Sequence, residues 1–419
     1  MGEALLRFVI SRFITTGHLE VAFPSGRFAF FGDGTGEPIF IRLVDRAAVW
    51  RLVAYPSLAL GELITDNRLQ IAHGSIYDFL DLVCRNFTIN ALPSHSWPQR
   101  LRRAFFAWHR GRNSRSGAKK NVAHHYDLDG RLYRLFLDAD QQYSCAYFEA
   151  PDASLEQAQL SKKRHIVAKL LPAANHKILD IGCGWGGMGL YLAKCCAAFV
   201  TGITLSTEQL DVARRRAKQD GLEGQVQFKL EDYRDVQGTF DRIVSVGMFE
   251  HVGIADYAQF FSQVHHLLHD DGIVLLHTIG RLDGPSPTNA WLERYIFPGG
   301  YAPALSELLG PIEQSSLFVT DIEILRLHYA QTLRTWRERF FAHRDEVAKL
   351  YDERFCRMWE FYLAGCEASF RHCGLVVFQL QLTKRFDLVP QTRDYIALTE
   401  KMLRRAEMRE HIGISDAAE

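Results

Sequence analysis

Residues 178–187 read Ile-Leu-Asp-Ile-Gly-Cys-Gly-Trp-Gly-Gly, an apolar stretch that runs directly into a glycine-rich loop. The apolar residues predict a buried parallel strand, and glycines after such a strand permit a tight turn whose backbone approaches a ligand closely. Asp180 lies two residues before the first glycine. A carboxylate there would repel a pyrophosphate but suits a cationic or hydroxyl-bearing ligand. A βα turn that binds nothing is the alternative, and Asp180 favours a cofactor loop.

The composition is typical of an ordinary enzyme. The chain's 419 residues are enough for two domains, each with its own hydrophobic core. Lysine plus arginine and aspartate plus glutamate each number 49, so no global charge predicts a nucleic-acid partner. The eight cysteines have no spacing typical of a metal site or a disulfide framework, which favours a reducing compartment. We find no apolar run near the roughly 20 residues that span a bilayer and no signal-peptide layout at the N-terminus. These features predict a cytoplasmic protein.

Residues 1–99 predict a small α+β domain. Short alternating stretches at 19–23, 27–31 and 38–43 are separated by glycine and proline, and helical patterns follow at 47–55 and 75–86.

Residues 100–121 form a basic linker, with eight Lys or Arg and no carboxylate between Arg100 and Lys120. A solvated connector is the simplest interpretation. Phe105, Phe106 and Trp108 lie among the basic residues, however, and that combination also suits an anionic membrane surface. We therefore expect peripheral membrane association.

Residues 122–390 alternate strand and helix patterns regularly from Asn175 onward. Strands are predicted at 177–181, 199–205, 226–230, 241–246, 273–278, 317–322 and 375–382, with helices such as 207–218 and 255–268 between them. Seven strands with intervening helices predict an α/β, doubly wound sheet with its ligand at the carboxyl ends of the strands. A helical insertion is predicted at 323–372, an irregular loop at 285–311, and a helical tail at 391–419.

Ten short motifs make the chain resemble the cyclopropane fatty acid synthases over nearly its whole length, and the glycine loop resembles the S-adenosylmethionine loop of class I methyltransferases. Besides that loop, the motifs are His125–Leu128, Tyr143–Phe148, Gly202–Ser206 with Gln209, Asp232–Asp235, Gly247–Gly253, Leu276–Gly280, Phe297–Gly300, His328–Leu333 and Phe361–Glu367. The sequence departs from the family pattern at Asp129-Gly130 and at Asp270–Gly272, in connecting turns. The resemblance implies the sheet of a class I methyltransferase. It also implies an enzyme that acts on unsaturated acyl chains of membrane phospholipids.

The resemblance also implies the cofactor contacts, residue by residue. Asp180 and the loop residues Gly182, Cys183, Gly184, Trp185 and Gly186 would underlie S-adenosylmethionine, with Tyr143 and Ser144 closing over its methionine end. The ribose side would be held by Thr204, Leu205, Ser206 and Gln209, and the adenine by Asp232, Tyr233 and Arg234.

A bound bicarbonate ion is the base that the resemblance implies, and its binding site would be formed by Glu250, His277, Tyr329, Cys145 and Cys366. Taken alone, Glu250 could be a surface acid, His277 a core histidine and Tyr329 a helix-start aromatic. Cys366 could in principle act as a thiolate nucleophile. It lies in an apolar helical stretch with no adjacent base, however, which favours an inert residue.

Three functions therefore remain open: a synthase that forms cyclopropane rings, a methyltransferase that leaves a methylene- or methyl-branched chain, and a lipid-binding protein that only retains the fold. The retained glycine loop, Glu250 and His277 argue against the third. The sequence leaves the oligomeric state open, including a homodimer.

Overall fold

The computed structural model describes residues 1–89 and 129–412. These residues divide into two compact units, the first made of 1–89, 286–298 and 329–375, and the second of 129–285, 299–328 and 376–412. The basic linker at 100–121 and the motif His125–Leu128 lie outside the described residues. Within the described ranges, each helix is too short or too polar to cross a membrane.

The strands and helices are numbered in chain order over the described residues. The strands are β1 Leu19–Ala22, β2 Phe28–Phe31, β3 Ile39–Leu43, β4 Leu69–His73, β5 Lys177–Ile181, β6 Phe199–Thr204, β7 Val226–Leu230, β8 Phe240–Val246, β9 Leu268–Arg281, β10 Phe318–Ile324 and β11 Leu375–Thr383. The helices are α1 Gly2–Phe13, α2 Arg46–Ala54, α3 Pro56–Thr65, α4 Ile76–Ile89, α5 Gly130–Phe136, α6 Leu155–Leu170, α7 Gly187–Cys196, α8 Thr207–Gln219, α9 Tyr257–Leu267, α10 Ala290–Tyr295, α11 Leu305–Gln314, α12 His328–Ala342, α13 Arg344–Leu350, α14 Glu353–His372 and α15 Asp394–Ile412.

The first unit contains a four-stranded sheet in the order β2-β1-β3-β4. Its three predicted strands and two predicted helices form, whereas α1, α3 and β4 were not predicted. Helix α3 begins at Pro56, where the missing N–H of proline costs no hydrogen bond. The core of this unit includes Val21 and Leu63, both fully buried.

The helical insertion forms, but it begins at α12 because residues 323–324 belong to strand β10. Its helices cluster with the first unit rather than with the large sheet. The physical reason is packing, because Ala364 and Ala368 of α14 are fully buried in the same core as Leu63. The predicted bounds of the insertion, 323–372, therefore differ from those of the compact unit, and the predicted boundary at 99 lies outside the described residues.

The second unit is built on a seven-stranded sheet in the order β10-β11-β9-β8-β5-β6-β7. This confirms the doubly wound α/β prediction, and all seven strands lie where the sequence predicted them. Strand β5 is parallel to both β6 and β8, and β10 is antiparallel to β11. The chain winds outward from β5 in both directions, so the carboxyl ends of β5 and β8 form the crevice in which such sheets bind ligands.

Two further predictions differ from the structure. The loop predicted as irregular at 285–311 contains α10 and the start of α11, and α10 begins where Asn289 Oδ1 accepts the N–H of Trp291 at 2.9 Å. The C-terminal tail is not separate, because α15 belongs to the second unit and its Leu403 joins the core there.

Candidate functional site

The loop after β5 has the backbone conformation that its glycines predict. Gly182, Gly184 and Gly186 all have positive φ, at 81°, 54° and 87°. A Cβ on Gly182 would lie 2.6 Å from the Met248 Cβ, and one on Gly186 would lie 2.7 Å from the Phe228 ring. A Cβ on Gly184 would meet nothing within 4 Å. Two of the glycines thus permit close packing, and the third borders open space.

That open space is a cavity in the second unit, at the carboxyl ends of its central strands. It is lined by all but two of the predicted cofactor residues, namely Tyr143, Ser144, Asp180, Gly182, Cys183, Gly184, Trp185, Thr204, Leu205, Gln209, Asp232, Tyr233 and Arg234. Gly186 and Ser206 are outside the lining. Ser206 instead caps α8, since its Oγ accepts the N–H of Gln209 at 3.3 Å.

Asp180 lies at the carboxyl end of β5 with 1% of its surface exposed. Burial raises the pKa of its carboxyl group to about 7, and the Gly189 N–H and Lys162 oppose that shift. Among the described residues, its Oδ2 has no hydrogen-bond partner. A buried acceptor without a partner is costly, so the site is suited to a ligand that donates a hydrogen bond or carries positive charge.

Polar pairs hold the far side of the cavity. Arg234 donates to Asp232 at 2.6 Å and lies 5.5 Å from the centroid of the Tyr233 ring. Thr204 Oγ1 donates to Gln209 Oε1 at 3.0 Å. These contacts fix the direction of each side chain before any ligand binds.

Several lining residues were missed from the sequence, among them Gln142, Met248 and His251. Behind them, Lys162 Nζ donates to Gln142 Oε1 at 2.6 Å and to Ser144 Oγ at 2.8 Å. Lys162 is fully buried, and burial lowers its pKa to about 8. The run Ser161–His165 reads as a solvated helix face, so the sequence carried no signal that this lysine is buried behind the site.

Glu250 lies in a single 3₁₀ turn, Phe249–His251, just after β8. Its Oε1 accepts the N–H of Ile279 at 2.6 Å. Its Oε2 is buried without a hydrogen-bond partner in the described part of the chain. Burial raises the pKa of this carboxyl group to about 7, so it can exchange a proton near neutral pH.

His277 lies on β9 with 2% of its surface exposed. Its Nδ1 is 3.2 Å from Gln379 Nε2, and its Nε2 is buried without a partner among residues 1–89 and 129–412. Burial holds the pKa of the imidazole well below its usual value, so the ring is neutral. Glu250 and His277 thus each keep one buried polar atom available.

The other three residues predicted to bind bicarbonate are divided between the two units. Cys145 is buried in the second unit, and its Sγ lies 3.3 Å from the Ala146 carbonyl. Tyr329 and Cys366 belong to the first unit, on α12 and α14. Burial raises the pKa of the Cys366 thiol to about 12, which agrees with an inert residue rather than a nucleophile.

Comparisons with known proteins identify the family to which the chain is similar. A family model described as mycolic acid cyclopropane synthetase matches residues 113–380. The cyclopropane-fatty-acyl-phospholipid synthase of Escherichia coli K12 is 37% identical over 349 residues, covering 83% of this chain and 88% of that protein. A probable fatty acid methyltransferase of Pseudomonas putida is 42% identical over 272 residues, covering 63% and 69%.

A solved structure adds the fold. Mycolic acid cyclopropane synthase CmaA1 complexed with SAH and CTAB matches with a TM-score of 0.60 and 33% identity, covering 63% of this chain and 97% of that one. The resemblance predicted from the motifs is therefore confirmed. The chain belongs to the mycolic acid cyclopropane synthetase family of S-adenosylmethionine-dependent methyltransferases.

Proposed function

We propose that this enzyme transfers a methylene group from S-adenosylmethionine to the cis double bond of unsaturated acyl chains in membrane phospholipids, and so forms cyclopropane fatty acids. The observation that carries the proposal is the cavity lined by the glycine loop and buried Asp180, in the same unit as the buried acid Glu250, which does not itself line that cavity. The name of the Escherichia coli relative supports the substrate.

S-adenosylmethionine would supply an electrophilic methyl group. The residues that would hold it are the cavity lining, with the glycine loop against it and Asp180 Oδ2 accepting from an ammonium or hydroxyl group. Gln142 and Ser144 would be kept in place by Lys162. SAH, the demethylated form of the cofactor, is part of the CmaA1 complex, which supports this assignment.

The proposed base is bicarbonate, held by Glu250 and His277. A bicarbonate ion offers one O–H donor and several acceptor oxygens, which matches one carboxylate oxygen and one ring nitrogen that have no other partner in the described chain. The ion would remove a proton from the cation that methyl transfer leaves on the acyl chain. Glu250 and His277 would orient it, and the buried surroundings would keep water from that cation.

Membrane contact is part of the proposal. The basic linker at 100–121 would supply positive charge. The first unit exposes Phe8 and Phe28, with 58% and 70% of their surfaces accessible, and Arg12 lies over the Phe8 ring. Exposed aromatics beside arginine suit the interfacial region of an anionic membrane. The enzyme would therefore work from the cytoplasm as a peripheral membrane protein.

A methyltransferase that makes methylene- or methyl-branched chains is the second candidate, and the name of the Pseudomonas putida relative favours it. The two reactions share the same cation and differ in how it is resolved. A protein that only binds lipid is disfavoured, because such a role gives no reason to bury Glu250 and His277 with unpartnered atoms.

Mass spectrometry of membrane lipids decides among these functions. The chain is expressed in cells rich in monounsaturated phospholipids, and intact lipids and released fatty acids are both analysed. We expect cyclopropane chains on intact phospholipids, with the ring at the former double bond. Methylene-branched chains have the same mass, so ring-opening fragmentation separates them, and a saturated methyl-branched product is heavier. Unmodified lipids in cells with folded enzyme would contradict both catalytic functions.

A further inference from the structure

We propose that Gln379, oriented by Lys169, is a positioning residue that holds His277 in its Nε2-protonated tautomer and so turns the ring into a hydrogen-bond donor toward the bound anion. The inference deepens the proposed function and rests on it. It concerns a row of buried side chains in the second unit that includes no residue predicted from the sequence except His277.

The row crosses three adjacent strands. Glu323 on β10 and Gln379 on β11 are directly paired in register, and β9, which carries His277, is the next strand. Helix α6 supplies Lys169, whose Nζ donates to Glu323 and lies 2.9 Å from Gln379 Oε1. Gln379 Nε2 lies 3.2 Å from His277 Nδ1. Gln379 and Lys169 have no exposed surface.

Lys169 determines which end of the Gln379 amide faces it. Its Nζ is within ion-pair distance of two carboxylates, Glu323 and Asp321 at 3.7 Å, so it acts as a donor. The carbonyl oxygen of the amide must therefore face Lys169, because the reverse orientation would set two donors against each other. The NH₂ group of Gln379 then faces His277.

The His277 tautomer follows from this orientation. The Gln379 NH₂ group can only donate, so Nδ1 must accept and cannot carry a proton. Because the ring is neutral, its one N–H is on Nε2, the buried atom without a partner in the described chain. A donor at that position suits an anionic oxygen, whereas the other tautomer would present a lone pair and repel it.

At the outer end of the row, His165 and Lys169 compensate the charge of Glu323, although burial lowers the pKa of Lys169. His165 on α6 lies 2.7 Å from Glu323 and 2.6 Å from Glu400. Burial opposes a charge on His165, but its hydrogen bonds to these two carboxylates raise its pKa. The row therefore ends in compensated charges, and Gln379 is its neutral link to the site.

Nitrogen NMR of the parent enzyme tests the tautomer directly. The enzyme is labelled with ¹⁵N-histidine, and the His277 ring is identified as the signal pair lost in His277→Phe. Protonated and unprotonated ring nitrogens differ widely in chemical shift. We expect a protonated Nε2 and an unprotonated Nδ1, and a proton on Nδ1 would overturn the proposal.

Gln379→Glu tests the cause. A carboxylate can stay bound to Lys169, but it accepts hydrogen bonds only, so it should draw the His277 proton to Nδ1. We expect the tautomer to switch and turnover to fall by about 10²-fold or more, with S-adenosylmethionine affinity unchanged. A neutral His277 ring that still carries its proton on Nε2 and none on Nδ1 in this variant would refute the role of Gln379. Should the variant not fold, the parent spectrum still decides the tautomer.

Gln381→Glu is the matched control. Gln381 is the next inward-facing glutamine on β11 and is equally buried, but its amide donates to the Lys169 carbonyl at 2.6 Å and to Tyr395 at 2.9 Å. This change adds the same acid without facing His277, so the tautomer should not change. A parent enzyme that makes no cyclopropane product would contradict the proposed function but not the tautomer assignment, because the NMR readout does not depend on turnover.

Discussion

Gly184 borders the cavity at a φ of 54°, and a side chain there would extend into open space. We expect Gly184→Val to abolish S-adenosylmethionine binding in titration calorimetry, because the valine would fill the volume that the cofactor needs and would strain the backbone. Gly221→Val is the control. Gly221 also has positive φ and open surroundings, but it does not line the cavity. Unchanged affinity in Gly184→Val would refute the cofactor assignment.

The buried carboxyl group of Asp180 should lower the free energy of unfolding as the pH rises. Its pKa rises from 3.8 to about 7 in the folded protein because of burial, so the folded state holds more protons than the unfolded state between these values. Stability must therefore fall as the pH rises through that window. Asp180→Asn removes the effect, and its gain in unfolding free energy should be about 2 to 3 kcal/mol larger at pH 8 than at pH 5. Urea denaturation at both pH values measures this gain, and a constant difference would contradict the buried carboxylate.

Glu250→Gln should separate binding from turnover. The amide keeps the acceptor for the Ile279 N–H but loses the carboxylate proposed to hold bicarbonate. We expect turnover to fall by about 10² to 10⁴-fold with cofactor affinity intact. After rigorous degassing, added bicarbonate should stimulate the parent far more than the variant. Asp241→Asn, at the opposite end of β8, is the control for a lost carboxylate. Full activity of degassed parent and of Glu250→Gln together would assign the proton to another base.

At the scale of elements, α6 is a polar helix that the fold buries. Two of its side chains are paired with α15, where Glu407 accepts from the Arg164 guanidinium at 2.6 Å and Glu400 lies 2.6 Å from His165. Arg164 and His165 are 4% and 3% exposed, so neither charge can be hydrated if α15 is altered. The C-terminal helix α15 thus contributes to the stability of the second unit.

Glu407→Ala should lower the free energy of unfolding by about 1 to 3 kcal/mol, because Arg164 loses its shorter ion pair and keeps Glu149 at 3.4 Å. Lys401→Ala, an exposed change on the same helix, should alter it by no more than about 0.5 kcal/mol. Chemical denaturation of both variants gives the comparison. Equal stabilities would mean that Glu149 alone compensates the charge of Arg164.

At the scale of the whole molecule, the charges cancel, so attraction to a membrane must come from local segments. We expect the protein to sediment with anionic vesicles more than with neutral ones and to be released by salt, since each basic residue near the surface contributes about 1 kcal/mol. Replacing the eight Lys and Arg of 100–120 by Gln should remove the difference, and replacing the Arg by Lys should keep it. Equal, salt-independent sedimentation would leave that segment as a linker.

Local patterns were sufficient to locate the large sheet and most of the residues that line the cavity. Most strands of the large sheet are buried and read as apolar runs, so they could be located within a few residues, and Asp180 and the loop glycines lie at the end of β5 and directly after it. Glu250 and His277 were named from the family resemblance, and their places after β8 and in the second half of β9 agree with it. These features depend on short stretches whose chemistry can be read in order.

Only the tertiary structure decided which polar residues are buried and what they face. The lysines of α6 read as a solvated surface, yet Lys162 and Lys169 are fully buried, because Gln142 and Ser144 complete the hydrogen bonds of the first and distant Glu323 and Gln379 those of the second. The tautomer of His277 likewise depends on Gln379, 102 residues away. The helices after β10 joined the first unit because alanines of α14 fit its core. Sequence periodicity reports the environment of a residue's own element, whereas these outcomes depend on partners that only folding brings together.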